Sequence, residues 1–274
     1  MRETRKKIAE QTILELHQGY YINRQGNTIE LADTVRKSVA NTIFYKTDTL
    51  AALVKNATSQ ASRETYNVSV TKESTIACLI RIAETNANRI GLLNFASAKN
   101  PGGGFLGGSQ AQEESLARSS TLYASLTAHD EFYKTNKNAR PAFYADNLLY
   151  SPGVAFFKDD AGNYLDAVIQ ADVITMPAVN KSAITSIDES IEKEIDKVMK
   201  QRIRYVLAVA EKNQMDTLIL GAWGCGVFRN KPADVANYFS QVLQESPSYR
   251  IPKLIFAIIG SDEQALTAFL PLAK

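Results

Sequence analysis

The stretch "RIGLLNFASAKNPGGGFLGGSQAQEES", residues 89–115, carries the clearest prediction of fold class in this chain. Its first part, "RIGLLNFAS", is an apolar run without apolar/polar alternation, which is typical of a strand buried on both faces. A glycine-rich loop follows at once, and a run with the apolar spacing of a helix follows the loop. Strand, loop and helix in this order predict an α/β sheet sandwiched between helical layers.

The rest of the chain continues this alternation. We predict strands in "LLYS" at 148–151, "VAFFK" at 154–158, "DAVIQADVITMP" at 166–177, "DTLIL" at 216–220 and from Lys253 onward. Helices are predicted near 2–18, 49–60, from Thr71, 110–127, 128–138, 187–212 and 232–244, and a hairpin around Arg24–Asn27. No internal repeat or linker is visible, so we expect one folding unit over 1–274.

The composition is that of an ordinary globular protein. The 274 residues are 45% hydrophobic and 22% charged, with 31 Lys and Arg against 29 Asp and Glu. The basic residues are scattered, so we expect no sequence-specific binding to nucleic acid. No apolar run approaches the ~20 residues that span a bilayer, and "MRETRKK" at 1–7 is followed by a charged amphipathic pattern rather than by the apolar core of a signal peptide. We therefore expect a cytoplasmic protein without a membrane partner.

The cysteines and histidines restrict the chemistry further. Cys78 and Cys225 form neither a disulfide framework nor a CxxC pair, which fits a reducing compartment. His17 and His129 lack a second ligand at a metal-type spacing, and the chain has no G-x-S-x-G elbow. This pattern argues against a catalytic zinc site and against Ser-His-Asp or Cys-His catalysis, and we interpret both histidines as surface residues.

The first glycine loop is placed where α/β proteins bind ligands. Gly102, Gly103 and Gly104 lack a Cβ atom, so their backbone can adopt left-handed conformations and approach a ligand closely. Exposed amides in such a loop form a nest for oxygen ligands. The loop leaves the carboxyl end of a predicted strand, which is the ligand-binding edge of an open α/β sheet.

The helix after this loop allows two interpretations. Ser109 to Gln112 fits the S-x-x-Q capping box, which predicts Ser109 as the N-cap and Gln112 at the third helical position. Glu113 and Glu114 then lie in the first turn, where carboxylates complement the helix dipole without any catalytic role. Alternatively, one of these carboxylates faces a ligand in the glycine loop. The segment alone favours the capping interpretation.

A second glycine loop, Gly224 to Phe228, follows another predicted buried strand. It contains only G-x-G, without the full dinucleotide fingerprint, its acidic partner or a P-loop lysine, which argues against a nucleotide-cofactor oxidoreductase. Its amides are suited to a diphosphate, although a simple tight turn is an equal alternative. We interpret Cys225 as a small filler residue because no base is visible for it, and Trp223 as a core residue.

The combination resembles a known signature. The order "NPGGG" at 100–104, a seven-residue spacer and "QEE" at 112–114 is similar to that of poly(ADP-ribose) glycohydrolases, and most closely to the microbial type. "LLYSPGVAFFKDD", "ITMPAVN" and "LGAWGCGVFRN" resemble segments of that family in the same order. The resemblance implies a macrodomain-like three-layer α/β/α sandwich with a mixed central sheet. It also implies a single catalytic domain over 1–274, with 1–60 as an N-terminal helical extension packed on it.

The resemblance also implies an activity and a site. The expected activity is hydrolysis of ribose–ribose O-glycosidic bonds in poly(ADP-ribose), mainly from the chain end, with ADP-ribose as product and without metal or cofactor. Glu114 is the implied general acid and base, and Glu113 the implied partner that holds the scissile linkage or ribose hydroxyls. The implied ligand-binding residues are Asn100, Gly102, Gly103, Gly104, Gln112, Gly224, Cys225, Gly226, Val227 and Phe228.

Two other functions stay open at this point. The chain could remove single ADP-ribose groups from protein or nucleic-acid acceptors, or it could bind ADP-ribose without cleaving it. Two adjacent glutamates argue against a pure binder, because binding alone needs no acid at this position. The expected partners are therefore poly(ADP-ribose) or ADP-ribosylated macromolecules, bound by a monomer.

Overall fold

The computed structural model describes residues 1–59, 66–85, 89–245, 250–259 and 261–273. The α-helices are α1 Arg2–Gln18, α2 Ala32–Asn41, α3 Thr47–Ser59, α4 Thr75–Ala83, α5 Gln112–Ser119, α6 Leu122–Thr127, α7 Asp130–Asn138, α8 Glu189–Lys212, α9 Pro232–Glu245 and α10 Glu263–Phe269. The strands are β1 Tyr20–Ile22, β2 Thr28–Glu30, β3 Ile43–Tyr45, β4 Asn67–Lys72, β5 Ile90–Phe95, β6 Leu148–Lys158, β7 Tyr164–Met176, β8 Thr217–Leu220 and β9 Lys253–Ile258.

A mixed sheet organises the described part of the chain. Its order is β3-β6-β7-β5-β8-β9-β4, while β1 and β2 form a separate hairpin. Strands β7, β5, β8, β9 and β4 are parallel, and β6 runs antiparallel to both of its neighbours. Strand β5 lies near the centre of the sheet, and its first five residues are buried. The prediction of a strand covered on both faces is confirmed.

Helices cover both faces of the sheet. One core contains Met199 of α8, Phe239 of α9 and the fully buried Trp223, whose Nε1 donates to the Met176 carbonyl at 3.2 Å. The other core contains Leu79 of α4 and Phe132 of α7, among others. The three-layer α/β/α arrangement with a mixed central sheet is therefore confirmed, and Trp223 is a core residue as predicted.

Helix α1 packs against β6 and α5. The buried Lys158 ammonium of β6 pairs with the buried Glu15 carboxylate of α1. The Thr12 hydroxyl donates to the Arg118 carbonyl of α5 at 2.7 Å. Helix α1 therefore has a fixed position against α5. Within the same 1–60 segment, β3 pairs with β6 in the main sheet.

Several local predictions hold. The helices near 2–18, 187–212 and 232–244 and the hairpin around 24–27 are all present. The helix near 49–60 is α3, although residue 60 lies outside the described residues. Helix α2 was not predicted. Among the described residues, we find no helix with the length and apolar character needed to cross a membrane.

The helix predicted from Thr71 is wrong at its start. Strand β4 continues through Lys72, which pairs with Ile258 of β9. Helix α4 begins only after Ser74, whose hydroxyl accepts from the Ala77 N–H at 3.0 Å as an N-cap. Pairing with a strand far away in sequence therefore overrides the local helical pattern.

The single helix predicted over 110–127 is also wrong. The chain leaves the helical path at Ser120, which forms a bridge with Phe156 of β6, and the Thr121 N–H donates to the Ala155 carbonyl at 2.9 Å. This contact with the sheet separates α5 from α6. The two strands predicted at 148–151 and 154–158 are one strand, β6, with a bulge where the register shifts between Ser151 and Val154.

Candidate active site

Three loops meet at the carboxyl edge of the parallel strands. The ends of β5 and β8 touch, because a Cβ added to Gly221 would lie 3.0 Å from the Phe95 ring. Gly224 lies against the segment after β7, since its added Cβ would lie 2.6 Å from the Ala178 Cβ. Both predicted glycine loops are thus at the sheet edge where open α/β sheets bind ligands.

The first glycine loop closes around the Glu114 carboxylate. Gly102 and Gly103 have left-handed φ values of 66° and 60°, whereas Gly104 has a φ of −103°. A Cβ on Gly103 would lie 2.3 Å from Glu114 Oε1, so this position requires glycine both for its conformation and for space. The Gly104 N–H donates to the same Oε1 at 3.0 Å.

The predicted capping box is wrong. Helix α5 begins at Gln112 with Ala111 as its N-cap and without a side-chain cap, so Ser109 lies outside the helix. The Gln112 side chain bonds to the backbone of β5 instead: Oε1 accepts from the Phe95 N–H at 2.9 Å, and Nε2 donates to the Leu93 carbonyl at 2.8 Å. Gln112, expected at the ligand, thus joins the helix to the central strand.

Glu113 is buried beneath the loop, with 2% exposure. Its Oε2 accepts from the Ser97 N–H at 2.6 Å, and its Oε1 accepts from the Asn94 amide at 3.2 Å. Burial raises the pKa of Glu113 to about 8, against the opposing effect of these two donors and with a further contribution from the charge of Glu114. At neutral pH the buried Glu113 carboxyl is therefore mainly protonated.

This burial makes the stability of the fold depend on pH. The Glu113 pKa rises from 4.5 to about 8 on folding, so its contribution to stability is complete below about pH 4.5 and is lost as pH rises through about 8. Relative to Glu113→Gln, the wild type should lose on the order of a few kcal/mol of unfolding free energy between pH 5 and 8. Urea unfolding of both proteins at pH 5, 6.5 and 8 measures this difference, and a constant difference would contradict the raised pKa.

Glu114 differs from its neighbour in exposure and in bonding. It is only partly buried. Within the described residues its second carboxylate oxygen accepts no hydrogen bond from the protein. Asn100, just before the loop, is exposed, and its side chain has no hydrogen-bond partner in the same described ranges. The Glu114 carboxylate therefore has one oxygen fixed by the loop and one available to a ligand or water.

The second glycine loop presents unused donors. Across the described ranges, the N–H groups of Gly226, Val227 and Phe228 donate to no protein acceptor. Val227 is 74% exposed, and nothing lies within 4 Å of a Cβ placed on Gly226. Successive free amides of this kind suit a diphosphate. Burial raises the pKa of the Cys225 thiol to about 12, which agrees with a filler residue rather than a nucleophile.

Tyr144 lies beside this loop, although it was not among the predicted site residues. The Tyr144 ring lies 6.2 Å from the Phe228 ring, and the Asn180 amide donates to the Tyr144 hydroxyl at 3.2 Å. Tyr144 also has a left-handed φ of 60°, a strained conformation that is concentrated at functional sites. The only sequence signal was an aromatic residue in an irregular segment, which does not predict either the contact or the conformation.

Within the described ranges, neither histidine forms a hydrogen bond with these loops. His17 is exposed, as predicted, whereas His129 is partly buried at the start of α7, and this burial lowers its pKa. In the ranges that the structure describes, no three His, Cys, Asp or Glu side chains are arranged to hold a metal ion.

Comparisons with known proteins agree with the geometry. The family described as microbial-type PARG, catalytic domain, matches residues 9–159. The chain is similar to the poly(ADP-ribose) glycohydrolase of Thermomonospora curvata bound to the inhibitor ADP-HPD, with 38% identity, 98% of this chain and 99% of that chain covered, and a TM-score of 0.90.

A second similar structure is the poly(ADP-ribose) glycohydrolase of Deinococcus radiodurans in complex with ADP-ribose. It has 38% identity, 88% of this chain and 97% of that chain covered, and a TM-score of 0.81. The comparison with curated proteins gives no match. The fold and the positions of the two glycine loops agree with these matches, which cover most of the chain. The chain therefore belongs to the microbial-type poly(ADP-ribose) glycohydrolase (PARG) family.

Proposed function

We propose that this chain is a poly(ADP-ribose) glycohydrolase in which Glu114 acts as general acid and base. The observation that supports this role of Glu114 most strongly is the bonding of its carboxylate. One oxygen accepts from the Gly104 N–H, and the other accepts no hydrogen bond from the described residues. The similar proteins from T. curvata and D. radiodurans carry an inhibitor and ADP-ribose, respectively, in their structures. The chemistry of a glycosidase fits this arrangement, since hydrolysis needs a proton donor for the leaving oxygen and a base for water.

The proposed reaction balances with this single carboxyl. Protonated Glu114 gives its proton to the glycosidic oxygen as the bond to the anomeric carbon breaks, and the shortened polymer leaves as an alcohol. The resulting carboxylate then takes a proton from a water molecule, whose oxygen bonds to the oxocarbenium-like carbon. ADP-ribose is released, and Glu114 regains its proton.

The two loops have separate proposed tasks. The free N–H groups of Gly226, Val227 and Phe228 would hold the diphosphate of the terminal ADP-ribose, with Gly224 and Cys225 shaping the turn. The Phe228 ring, supported by Tyr144, would pack beside the distal ribose. Bound in this way, the ligand would place its own diphosphate near the positive charge that develops at the anomeric carbon. The diphosphate would stabilise that charge electrostatically.

The first loop would contact the distal ribose. Its left-handed glycines, Gly102 and Gly103, allow close approach, and the exposed Asn100 side chain can bind ribose hydroxyls. Glu113, neutral when buried, would support these hydroxyls from beneath while it holds the Ser97 N–H. Gln112 would contribute indirectly, because both ends of its amide bond to β5.

The remaining features are also proposals. Residues 1–274 would form one catalytic domain, with the N-terminal segment packed on it, and the protein would act as a cytoplasmic monomer. Its partners would be poly(ADP-ribose) or ADP-ribosylated macromolecules, cleaved mainly from the chain end. The open oxygen of Glu114 supports cleavage rather than binding alone.

Comparing two substrates tests the proposed specificity. Wild-type protein is incubated with a protein carrying poly(ADP-ribose) and with the same protein carrying single ADP-ribose groups, and free ADP-ribose is measured over time. We expect rapid release from the polymer that stops when single groups remain. Release from the singly modified protein at the same or a higher rate would favour a mono-ADP-ribosyl hydrolase, and binding without release would favour a reader.

A further inference from the structure

Arg118 is a buried arginine one helical turn after Glu114. It is 4% exposed. Its guanidinium faces the end of the glycine loop: Nη1 donates to the Ser109 carbonyl at 2.7 Å, and Nη2 donates to the Gln110 side-chain oxygen and, at 3.3 Å, to the Ser115 hydroxyl. This arginine therefore links α5 back to the loop that precedes it.

The link continues to Glu114 through two backbone hydrogen bonds. The Ser109 N–H donates to the Gly104 carbonyl at 3.2 Å, and the Gly104 N–H donates to Glu114 Oε1 at 3.0 Å. Glu114 and Arg118 are four residues apart on α5 and share one helical face. The contacts thus form a closed ring from Arg118 through Ser109 and Gly104 to Glu114.

Helix α1 holds the same loop from outside. Arg2 Nε donates to the Gly107 carbonyl at 3.0 Å, and Arg5 Nε donates to the Gly108 carbonyl at 2.9 Å. With Arg118 on Ser109, three successive carbonyls each accept a hydrogen bond from an arginine. These bonds restrain residues 107–109, and the Ser109 N–H in turn bonds to the Gly104 carbonyl.

The charge of Arg118 is costly for the fold in this position. Burial lowers the pKa of its guanidinium, and the negative charges of Glu114 and Asp160 oppose this effect. A buried charge is weak evidence for stabilisation, because an apolar side chain of similar size would often serve the fold as well. What the guanidinium provides here is a set of donors that an apolar side chain lacks, for the Ser109 carbonyl and the Gln110 side chain.

We propose that Arg118 is a positioning residue that fixes the Glu114 carboxylate through Ser109 and Gly104. This inference rests on the proposed function, because it assumes that Glu114 reacts. Arg118 holds the loop so that the Gly104 N–H restrains one Glu114 oxygen and leaves the other directed toward the glycosidic bond. The ADP-ribose contacts of the Gly224 to Phe228 loop do not depend on it.

The test separates turnover from binding and from stability. Arg118→Met removes the guanidinium, Arg118→Lys retains a charge but has only one donor nitrogen, and Arg89→Met is a control that removes an arginine away from the glycine loops. Arg89 pairs with Asp172 at 2.8 Å and donates to the Tyr150 hydroxyl at the opposite end of β5. For each protein we would measure kcat and KM with poly(ADP-ribose), Kd for ADP-ribose, and Tm.

We expect Arg118→Met to lower kcat on the order of tenfold or more, because small displacements of a reacting group reduce rate steeply. Arg118→Lys should recover part of this loss, while KM and the ADP-ribose Kd change less than about threefold in both variants. Arg89→Met should lower Tm without this loss of kcat.

A kcat near that of wild type in folded Arg118→Met overturns the positioning role, as does a parallel loss of kcat and ADP-ribose affinity. An equal loss of kcat in Arg89→Met at a similar Tm also overturns it, because the effect would then follow stability. A wild type that releases no ADP-ribose from polymer overturns the proposed function itself. The two failures are thus distinguishable.

Discussion

Replacing Glu114 with glutamine is expected to slow ADP-ribose release from poly(ADP-ribose) on the order of 10³-fold, since general acid–base catalysis typically contributes 10²–10⁴-fold. Glutamine has nearly the same shape and can still accept the Gly104 N–H through its amide oxygen. It can neither donate a proton of suitable acidity to the leaving oxygen nor accept one from water. Single-turnover kinetics with excess protein measures this rate without interference from product release.

The matched control is Glu189→Gln. Glu189 also lies in the first turn of a helix, α8, but its side chain is 84% exposed and lies on the opposite face of the sheet from α5. Glu189→Gln should release ADP-ribose at the rate of wild type. The Kd of Glu114→Gln for ADP-ribose should stay within about threefold of wild type, because the loss concerns the transition state. A folded Glu114→Gln that turns over at a near wild-type rate would rule out Glu114 as the acid.

Adding a methyl group at Gly103 is expected to lower kcat on the order of 10²-fold, because misplacing a reacting group by about 1 Å can have that effect. The Cβ of Gly103→Ala would lie 2.3 Å from Glu114 Oε1 and 3.2 Å from Glu113 Oε2. The first distance is too short for any carbon–oxygen contact and the second is tight, so the Glu114 carboxylate must move away from the Gly104 N–H. Steady-state kinetics with polymer gives kcat.

Gly153→Ala separates this displacement from backbone strain. Gly153 has the same φ of 60°, but its Cβ would meet only Gln170 Oε1, at 3.8 Å. Both variants therefore carry a similar left-handed penalty of roughly 1 kcal/mol. We expect a similar fall in Tm and a loss of kcat in Gly103→Ala alone. Equal kcat values in the two variants would show that crowding of the Glu114 carboxylate has no catalytic consequence.

The parts of the fold that the sequence predicted well are those decided by local patterns. The unalternating apolar run of β5 identified a strand covered on both faces, and the glycines after β5 and β8 placed two loops at one edge of the sheet. Parallel neighbours bring their carboxyl ends together, so two loops far apart in sequence could be expected to meet.

The errors arose where a distant contact overrides a local pattern. The sequence from Ser109 to Gln112 fits a capping box. In the structure, however, the Gln112 side chain bonds to the β5 backbone, and α5 begins at Gln112. The Thr71 segment fits a helix, yet its pairing with β9 extends the strand. Arg118 was not singled out by any sequence pattern, because its burial depends on the packing of α1 and the glycine loop against α5. The ligand-binding roles stay predictions.

Chromatography of the products from purified poly(ADP-ribose) tests the catalytic role of Glu114 most directly. The wild-type protein and Glu114→Gln, at equal concentrations and both shown to be folded, are incubated with the polymer in parallel. We expect free ADP-ribose from wild type and almost none from Glu114→Gln. No ADP-ribose from wild type, or equal amounts from both proteins, would contradict this role.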